Sequence, residues 1–236
     1  MHVRILGHRG SPDPTGSVRE NTLEAFARAR HLGADGVELD VQLTADGTMA
    51  VHHDPVVPGL GAISELTVDQ LPDYVPELAA VLEACTGMFV NIEIKNVPGQ
   101  PGFDADERLA GLVAQLVSAT HRQGDTVVSS FWPATLEAVS TRDDTVPTGL
   151  LLSSWFDPAG AVEAATSRGC LAIHPVMSLV STSLVTEAHE AGLSVATWTV
   201  NQPSDVSAMA VLGVDTIISD DVAMVITTLA GQVTEP

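Results

Sequence analysis

Five short clusters of ionisable side chains lie within the first 95 residues. They are His8-Arg9-Gly10, Glu20-Asn21, Glu38-x-Asp40, His53-Asp54 and Glu93-x-Lys95. Two histidines can transfer protons near neutral pH, and three carboxylates can hold a hard divalent cation. Arginine and lysine can bind an anion, Arg through paired donors and Lys as a point charge. The set is therefore equipped for metal-assisted cleavage of an anionic ester such as a phosphate diester.

The elements that must bring these clusters together follow a repeating pattern. Eight short apolar runs are each followed by a segment with helical spacing. The runs begin near Val3, Gly36, Met88, Thr126, Thr148, Leu171, Ser194 and Asp215. They are rich in Val, Ile and Leu without clean alternation, which is typical of parallel strands buried on both faces. The pattern predicts the α/β class and a (β/α)₈ TIM barrel. An open doubly wound sheet is the alternative, but no glycine-rich dinucleotide fingerprint favours it.

Helix signals support this reading. Asn21-Thr22-Leu23-Glu24 carries a capping signal, and Gly33 follows the end of the same helix. Further helices are predicted over 104–120, 181–191 and 204–212. No linker divides the chain, so we expect one domain over residues 1–236.

One segment interrupts the alternation of strand and helix. Two extended runs, 41–44 and 48–51, flank Asp46-Gly47, which is a hairpin signal. A two-residue turn there would pair Asp40 with His53 and place both on one face with Glu38. After the hairpin, residues 54–75 are punctuated by Pro and Gly, and they are predicted to form a lid-like insertion at the barrel mouth.

Active sites of such barrels lie at the carboxyl ends of the strands, where the clusters would converge. We predict catalytic His8 and His53 as general acid and base, without assigning which is which. The predicted metal ligands are Glu38, Asp40 and Glu93, and these oxygen donors favour Mg²⁺ or Ca²⁺. The predicted substrate contacts are Arg9, Lys95 and Trp198. His174 ends a predicted strand and would lie on the same rim.

Composition narrows the choice of partners and compartment. Ten Lys+Arg against 30 Asp+Glu give 236 residues a formal net charge of −20, which argues against nucleic acid or anionic membrane surfaces. A phosphate site must reverse this field locally with a cation and basic residues. Cys85 and Cys170 are predicted to be buried residues of the core. No apolar stretch is long enough for a membrane span, and Met1–Leu6 runs directly into the first motif. We therefore expect a soluble, cytoplasmic protein.

The chain resembles the glycerophosphodiester phosphodiesterase family, which is related to the phosphoinositide phospholipases C. The resemblance covers nearly the whole length. Its motifs are His8-Arg9-Gly10, Glu20-Asn21-Thr22, Glu38-Leu39-Asp40-Val41, Val51-His52-His53-Asp54, Glu93-Ile94-Lys95, Trp198-Thr199-Val200-Asn201 and Ile217-Ile218-Ser219-Asp220.

This resemblance implies a TIM barrel with one divalent metal ion and the residue roles given above. It also implies a small-molecule glycerophosphodiester substrate, hydrolysed to glycerol 3-phosphate and an alcohol. The alternatives are a lysophospholipase D, a phospholipase C-like enzyme that forms a cyclic phosphate, and a non-catalytic barrel that binds phosphorylated ligands. The alcohol, the choice between Mg²⁺ and Ca²⁺, and the oligomeric state stay open.

Overall fold

A computed structural model describes residues 3–154 and 160–232; residues 1–2, 155–159 and 233–236 lie outside the description. The strands are β1 (Arg4–Gly7), β2 (Gly36–Leu43), β3 (Met49–Val51), β4 (Val56–Val57), β5 (Gly61–Ala62), β6 (Phe89–Ile94), β7 (Thr126–Ser130), β8 (Thr148–Leu152), β9 (Ala172–Pro175), β10 (Ser194–Thr197) and β11 (Thr216–Ser219). The helices are α1 (Leu23–Leu32), α2 (Leu78–Ala84), α3 (Arg108–Ala119), α4 (Pro133–Arg142), α5 (Ala161–Thr166), α6 (Thr182–Glu190), α7 (Pro203–Leu212) and α8 (Val222–Gln232).

Eight of these strands form a closed parallel barrel. The order is β1, β2, β6, β7, β8, β9, β10 and β11, and the pairing of β1 with both β2 and β11 closes the ring. One helix follows each barrel strand before the next begins. The predicted (β/α)₈ TIM barrel is confirmed.

Alternation along β2 explains why acidic residues lie inside the barrel. Val37, Leu39 and Val41 are buried in the large apolar cluster that includes side chains of α1, α2 and α3. The intervening residues of a strand point to the opposite face. Glu38 and Asp40 therefore point inward while the helices cover their apolar neighbours.

The helix that follows β1 begins and ends where its sequence predicts. The Thr22 hydroxyl accepts a hydrogen bond from the Ala25 amide at 3.2 Å, and Gly33 adopts φ 93° at the C-cap. The predicted start of α3 at Asp104 is wrong, because the helix begins at Arg108. The Asp104 carboxylate instead accepts the backbone amides of Asp106 and Arg108, which holds a turn in front of the helix.

The hairpin exists, but its predicted register is wrong by one residue. Val41 pairs with Val51, and this register aligns Asp40 with His52, whose amide donates to the Asp40 carbonyl at 2.9 Å. The turn contains three residues, 45–47, and Gly47 closes it with φ 83°. His53 therefore lies beyond β3, and the following loop sets its direction.

The insertion after the hairpin has a small core of its own. Strands β4 and β5 form a two-stranded ribbon, and a cluster of buried side chains lies beneath the insertion. Its members are Ala50, Val57, Ile63, Leu71 and Val75. The cysteines Cys85 and Cys170 are both buried, as predicted. Within the described ranges, every helix is too short or too polar to cross a bilayer.

Candidate active site

Three carboxylates meet inside the carboxyl end of the barrel. Asp40 on β2 lies beside Glu93 on β6 in the parallel register, and Glu38 precedes Asp40 by two residues on the same face. One oxygen from each carboxylate lies within 4.8 Å of the other two, and all three side chains are buried. The inward positions that strand alternation predicts therefore form one cluster.

The charges of this cluster are only partly compensated. Lys95 Nζ lies 3.0 Å from Asp40 Oδ1 and 2.5 Å from Glu93 Oε1, and Arg9 Nε lies 3.4 Å from Asp40 Oδ2. Burial acts to raise the pKa of Asp40, but Lys95 and Arg9 more than offset it and hold that pKa at about 2. Burial and the neighbouring Asp40 charge raise the pKa of Glu38 to about 8.

The donor set fits a divalent cation. Burial raises the pKa of Glu93 as well. The ionised forms of Glu38 and Glu93 are therefore both disfavoured in the absence of a cation. A cation among them would favour ionisation, and a set made only of carboxylate oxygens suits Mg²⁺ or Ca²⁺. The acidic triad is compatible with the binding of a divalent metal.

The His8-Arg9-Gly10 turn ties the first strand to this cluster. Arg9 adopts φ 53°, and its amide donates to Glu38 Oε2 at 2.9 Å. A Cβ atom at Gly10 would lie 2.7 Å from the Ala25 side chain, so only glycine allows α1 to pack this close. Arg9 Nη1 also donates to Glu20 Oε1 at 2.9 Å. Glu20 therefore orients Arg9, and the helix cap is Thr22.

His8 is held by residues from the opposite end of the chain. Its Nδ1 lies 2.7 Å from Asp220 Oδ1, 212 positions away, and its Nε2 lies 3.9 Å from Glu38 Oε2. Asn201 Nδ2 donates to Asp220 Oδ2 at 2.6 Å, and Asn201 Oδ1 accepts the Asp220 amide at 3.0 Å. Burial acts to lower the pKa of His8, but the Asp220 hydrogen bond and the Glu38 charge raise it overall.

His53 has a similar partner from its own loop. Its Nδ1 lies 2.7 Å from Asp54 Oδ1. An ionised carboxylate can only accept, so each histidine donates from Nδ1 and presents Nε2 as the free ring nitrogen. Sequence reasoning assigned no role to Asp54, Asn201 or Asp220. Two features of the sequence could have identified them. Asp54 directly follows His53, and Asn201 and Asp220 are polar residues just after the last two barrel strands.

These groups surround one cavity of about 140 Å³. Of the eight predicted site residues, seven line it, and Asp40 lies buried behind them. The lining residues from that set are His8, Arg9, Glu38, His53, Glu93, Lys95 and Trp198. Trp198 and Phe131 pack edge to face with centroids 5.7 Å apart, forming an apolar wall opposite the charged one.

His174 does not lie where the sequence suggested. It is buried inside the barrel and lines a separate cavity toward the amino ends of the strands. His174 shares this cavity with Thr216, the first residue of β11, and with Ala196, which pairs with Thr216. Only the His174 backbone reaches the site indirectly, since its carbonyl accepts the Trp198 indole N–H at 2.8 Å.

Fold and site together define a class of protein, the TIM-barrel phosphodiesterases. Its acidic cluster is flanked here by two histidines and by the basic side chains of Arg9 and Lys95. Comparisons with known proteins narrow this class. Residues 8–224 match the glycerophosphoryl diester phosphodiesterase family. A glycerophosphodiester phosphodiesterase of Caldanaerobacter subterraneus subsp. tengcongensis is 31% identical over 94% of this chain and 95% of its own length.

Solved structures share the architecture. A glycerophosphodiester phosphodiesterase of Thermotoga maritima superposes with a TM-score of 0.80 at 26% identity, covering 96% of this chain and 98% of the other. A phosphodiesterase of Oleispira antarctica, in complex with the product sn-glycerol-3-phosphate, gives 0.84 at 23% identity over 96% of each chain and shows the fold alone. The chain belongs to the glycerophosphoryl diester phosphodiesterase family, and it is a phosphoric diester hydrolase.

Proposed function

We propose that this enzyme hydrolyses glycerophosphodiesters to glycerol 3-phosphate and an alcohol, by metal-assisted general acid–base catalysis. The observation that carries the proposal is the shared cavity, where His8 and His53 face the carboxylate cluster beside Arg9 and Lys95. The product-bound Oleispira antarctica structure supports the same product for this fold. Residues 1–236 acting as one domain stays a prediction.

The carboxylates Glu38, Asp40 and Glu93 would hold one divalent cation, Mg²⁺ or Ca²⁺. When bound, the cation supplies charge neutralisation for the phosphate and polarises its oxygens. Arg9 and Lys95 add positive charge at the same wall, and both are anchored on Asp40. The chain's overall acidity is therefore reversed locally, as recognition of an anionic substrate requires.

The two histidines would carry the protons. With Nδ1 committed to Asp220 or Asp54, each imidazole has Nε2 free to face the substrate. One would accept the proton of the attacking oxygen, and the other would protonate the departing alkoxide. Asp220 and Asp54 would fix the tautomers and stabilise each imidazolium as it forms. Trp198 and Phe131 would pack against the apolar edge of the glycerol or the head group.

Release of glycerol 3-phosphate from glycerophosphocholine tests the proposal. We expect His8→Ala and His53→Ala each to reduce turnover by about 10²–10⁴-fold. His31→Ala, on the exposed side of α1, is the matched control and should keep full activity. Full turnover in either site variant would remove that histidine from the mechanism.

Metal dependence has an independent readout. Chelation should abolish turnover, and readdition of Mg²⁺ or Ca²⁺ should restore it and raise the melting temperature. Glu93→Gln should lose both responses. Activity that survives complete chelation would contradict metal assistance. Phosphorus NMR of the products separates direct hydrolysis from a cyclic phosphate, because a cyclic diester has a distinct shift.

A further inference from the structure

The barrel contains a second cavity that the catalytic chemistry does not use. This space, here called the lower cavity, lies at the amino ends of the strands and measures about 140 Å³. Among the described residues, none lines both this cavity and the catalytic one. Interiors of TIM barrels are normally filled by layers of large side chains. Here Ala172, Ser194 and Ala196 occupy inward positions of β9 and β10, and their small size leaves the space open.

Polar groups without partners line the lower cavity. His174 is 2% exposed, and among the described residues its Nδ1 has no hydrogen-bond partner. Thr126 Oγ1 is likewise buried and unpartnered within the described part of the chain. An unsatisfied buried polar atom is costly, so water or a ligand is expected to complete these sites. Burial lowers the pKa of His174 to about 4, so its ring is neutral near pH 7.

The exposed Arg4 side chain brings a positive charge to the wall of the lower cavity. The Arg4 guanidinium stacks over the Phe89 ring at 4.1 Å from its centroid. Within the described ranges Arg4 forms no ion pair with a carboxylate, so its positive charge is available to an anionic ligand. Between Arg4 and His174 the wall is largely apolar, including Leu6, Phe89 and Ala196.

We propose that the lower cavity is a second binding site for a small organic acid with an apolar body. The carboxylate would pair with Arg4, and the body would pack against Leu6 and Phe89. A hydroxyl at the inner end of the ligand would form a hydrogen bond with His174 Nδ1, which has no partner among the described residues. The size is suitable, because an apolar cavity of roughly 150 Å³ holds a benzene-sized molecule.

Such a ligand would lie close to the catalytic wall. The His174 carbonyl accepts the indole N–H of Trp198, which lines the catalytic cavity. A ligand held by His174 is therefore one hydrogen-bonded residue away from a substrate-facing side chain.

Titration with 4-hydroxybenzoate, benzoate and benzyl alcohol tests this site in the intact enzyme. We expect millimolar or tighter binding of both acids, little binding of the alcohol, and no displacement by glycerol 3-phosphate. The ring ¹⁵N signals of His174 should shift more with the hydroxylated acid. Arg4→Met should weaken binding about tenfold or more, whereas Arg4→Lys should retain most of it. Turnover of glycerophosphocholine without ligand should be unchanged in Arg4→Met.

Filling the cavity gives a second test. Ala196→Leu should abolish binding of both acids; if that variant does not fold, Ala172→Val takes its place with a smaller added volume. The absence of binding at millimolar concentration would show a water-filled cavity only and overturn the proposal. Displacement by glycerol 3-phosphate, or binding unchanged in Arg4→Met and the filled variant, would place the acid elsewhere and also overturn it.

Discussion

The Asn201–Asp220–His8 hydrogen-bond chain predicts a large effect for the isosteric substitution Asp220→Asn. Asp220 accepts from His8 on one oxygen and from Asn201 Nδ2 on the other. An amide at position 220 offers only one acceptor. If its oxygen faces His8, its NH₂ group faces the NH₂ group of Asn201, and these two donors cannot form a hydrogen bond. If its NH₂ faces His8, the ring must accept at Nδ1 and carry its proton on Nε2.

Asn201 cannot relieve this conflict by rotating its own amide. Its Oδ1 accepts both the backbone amide of residue 220 and the Ser219 hydroxyl, each at 3.0 Å. The variant therefore loses one hydrogen bond or populates the wrong histidine tautomer, and it also loses the charge that stabilises the imidazolium. Loss of a general acid–base role is typically worth about 10²–10⁴ in rate, and we expect Asp220→Asn to fall in that range.

The double variant Asn201→Asp/Asp220→Asn separates hydrogen bonding from charge. An aspartate at 201 can accept every donor around it, and the amide at 220 can then accept from His8. Because the Asn201–Asp220 hydrogen bond is solvent-exposed, restoring it is worth about 0.5–1.5 kcal/mol, and the double variant should recover roughly 2–10-fold over the single variant. The displaced charge should keep it below the native rate.

Turnover of glycerophosphocholine across pH 5–9, together with ¹⁵N NMR of the His8 ring, measures both effects. We expect the single variant to lose the Nδ1–H tautomer signal and the double variant to regain it. Native turnover in Asp220→Asn, or no recovery in the double variant, would refute the role of Asp220 in holding His8. The stability of both variants should change little, because the Asp220 side chain is 46% exposed.

Three further predictions concern charge and burial away from His8. Burial and the Asp40 charge raise the Glu38 pKa from 4.5 to about 8, so without metal the ionised form destabilises the fold as pH rises from about 4.5 through 8. In urea unfolding with chelator present, the free energy of unfolding of Glu38→Gln should therefore rise relative to that of the native protein as the pH goes from 5 to 8. The expected rise is on the order of 3 kcal/mol. Arg122 is buried and donates to three backbone carbonyls around the end of α2, so Arg122→Met should cost about 3 kcal/mol in the same assay. Burial raises the pKa of the Cys85 thiol to about 11, so a thiol reagent should modify it only as the protein unfolds.

Each of these predictions has a control and a contrary outcome. Addition of Mg²⁺ or Ca²⁺ should remove the pH-dependent advantage of Glu38→Gln, and an advantage that is constant with pH would contradict the assigned cause. Arg142→Met, at an exposed position at the end of α4, should change the unfolding free energy by no more than about 0.5 kcal/mol. An equal loss in both arginine variants would show that the carbonyl contacts of Arg122 are unimportant. If Cys85 in the native protein reacts as fast as a solvent-exposed thiol, its burial is contradicted.

Much of this molecule was determined by local sequence. The eight apolar runs lacked alternation because both faces of each strand are buried, and they begin within one residue of the observed strands. Parity along β2 and β6 was sufficient to place Glu38, Asp40 and Glu93 on the inner face. Capping chemistry at Thr22 and Gly33 likewise depends on neighbouring residues only.

Other features depended on contacts between distant segments. Asp46-Gly47 predicted a turn, but the turn has three residues, and this length sets the register. Leu66 and Val68 of the insertion hold it, because the Ala45 amide donates to the Leu66 carbonyl and the Asp46 carboxylate accepts the Val68 amide. The link from His8 to Asp220 exists only because β1 pairs with β11 when the barrel closes. His174 has the sequence position of a rim residue, yet the height of β9 in the barrel places it at the lower cavity. Alternation dictates the side of a strand on which a residue lies, whereas closure of the barrel decides which residues meet.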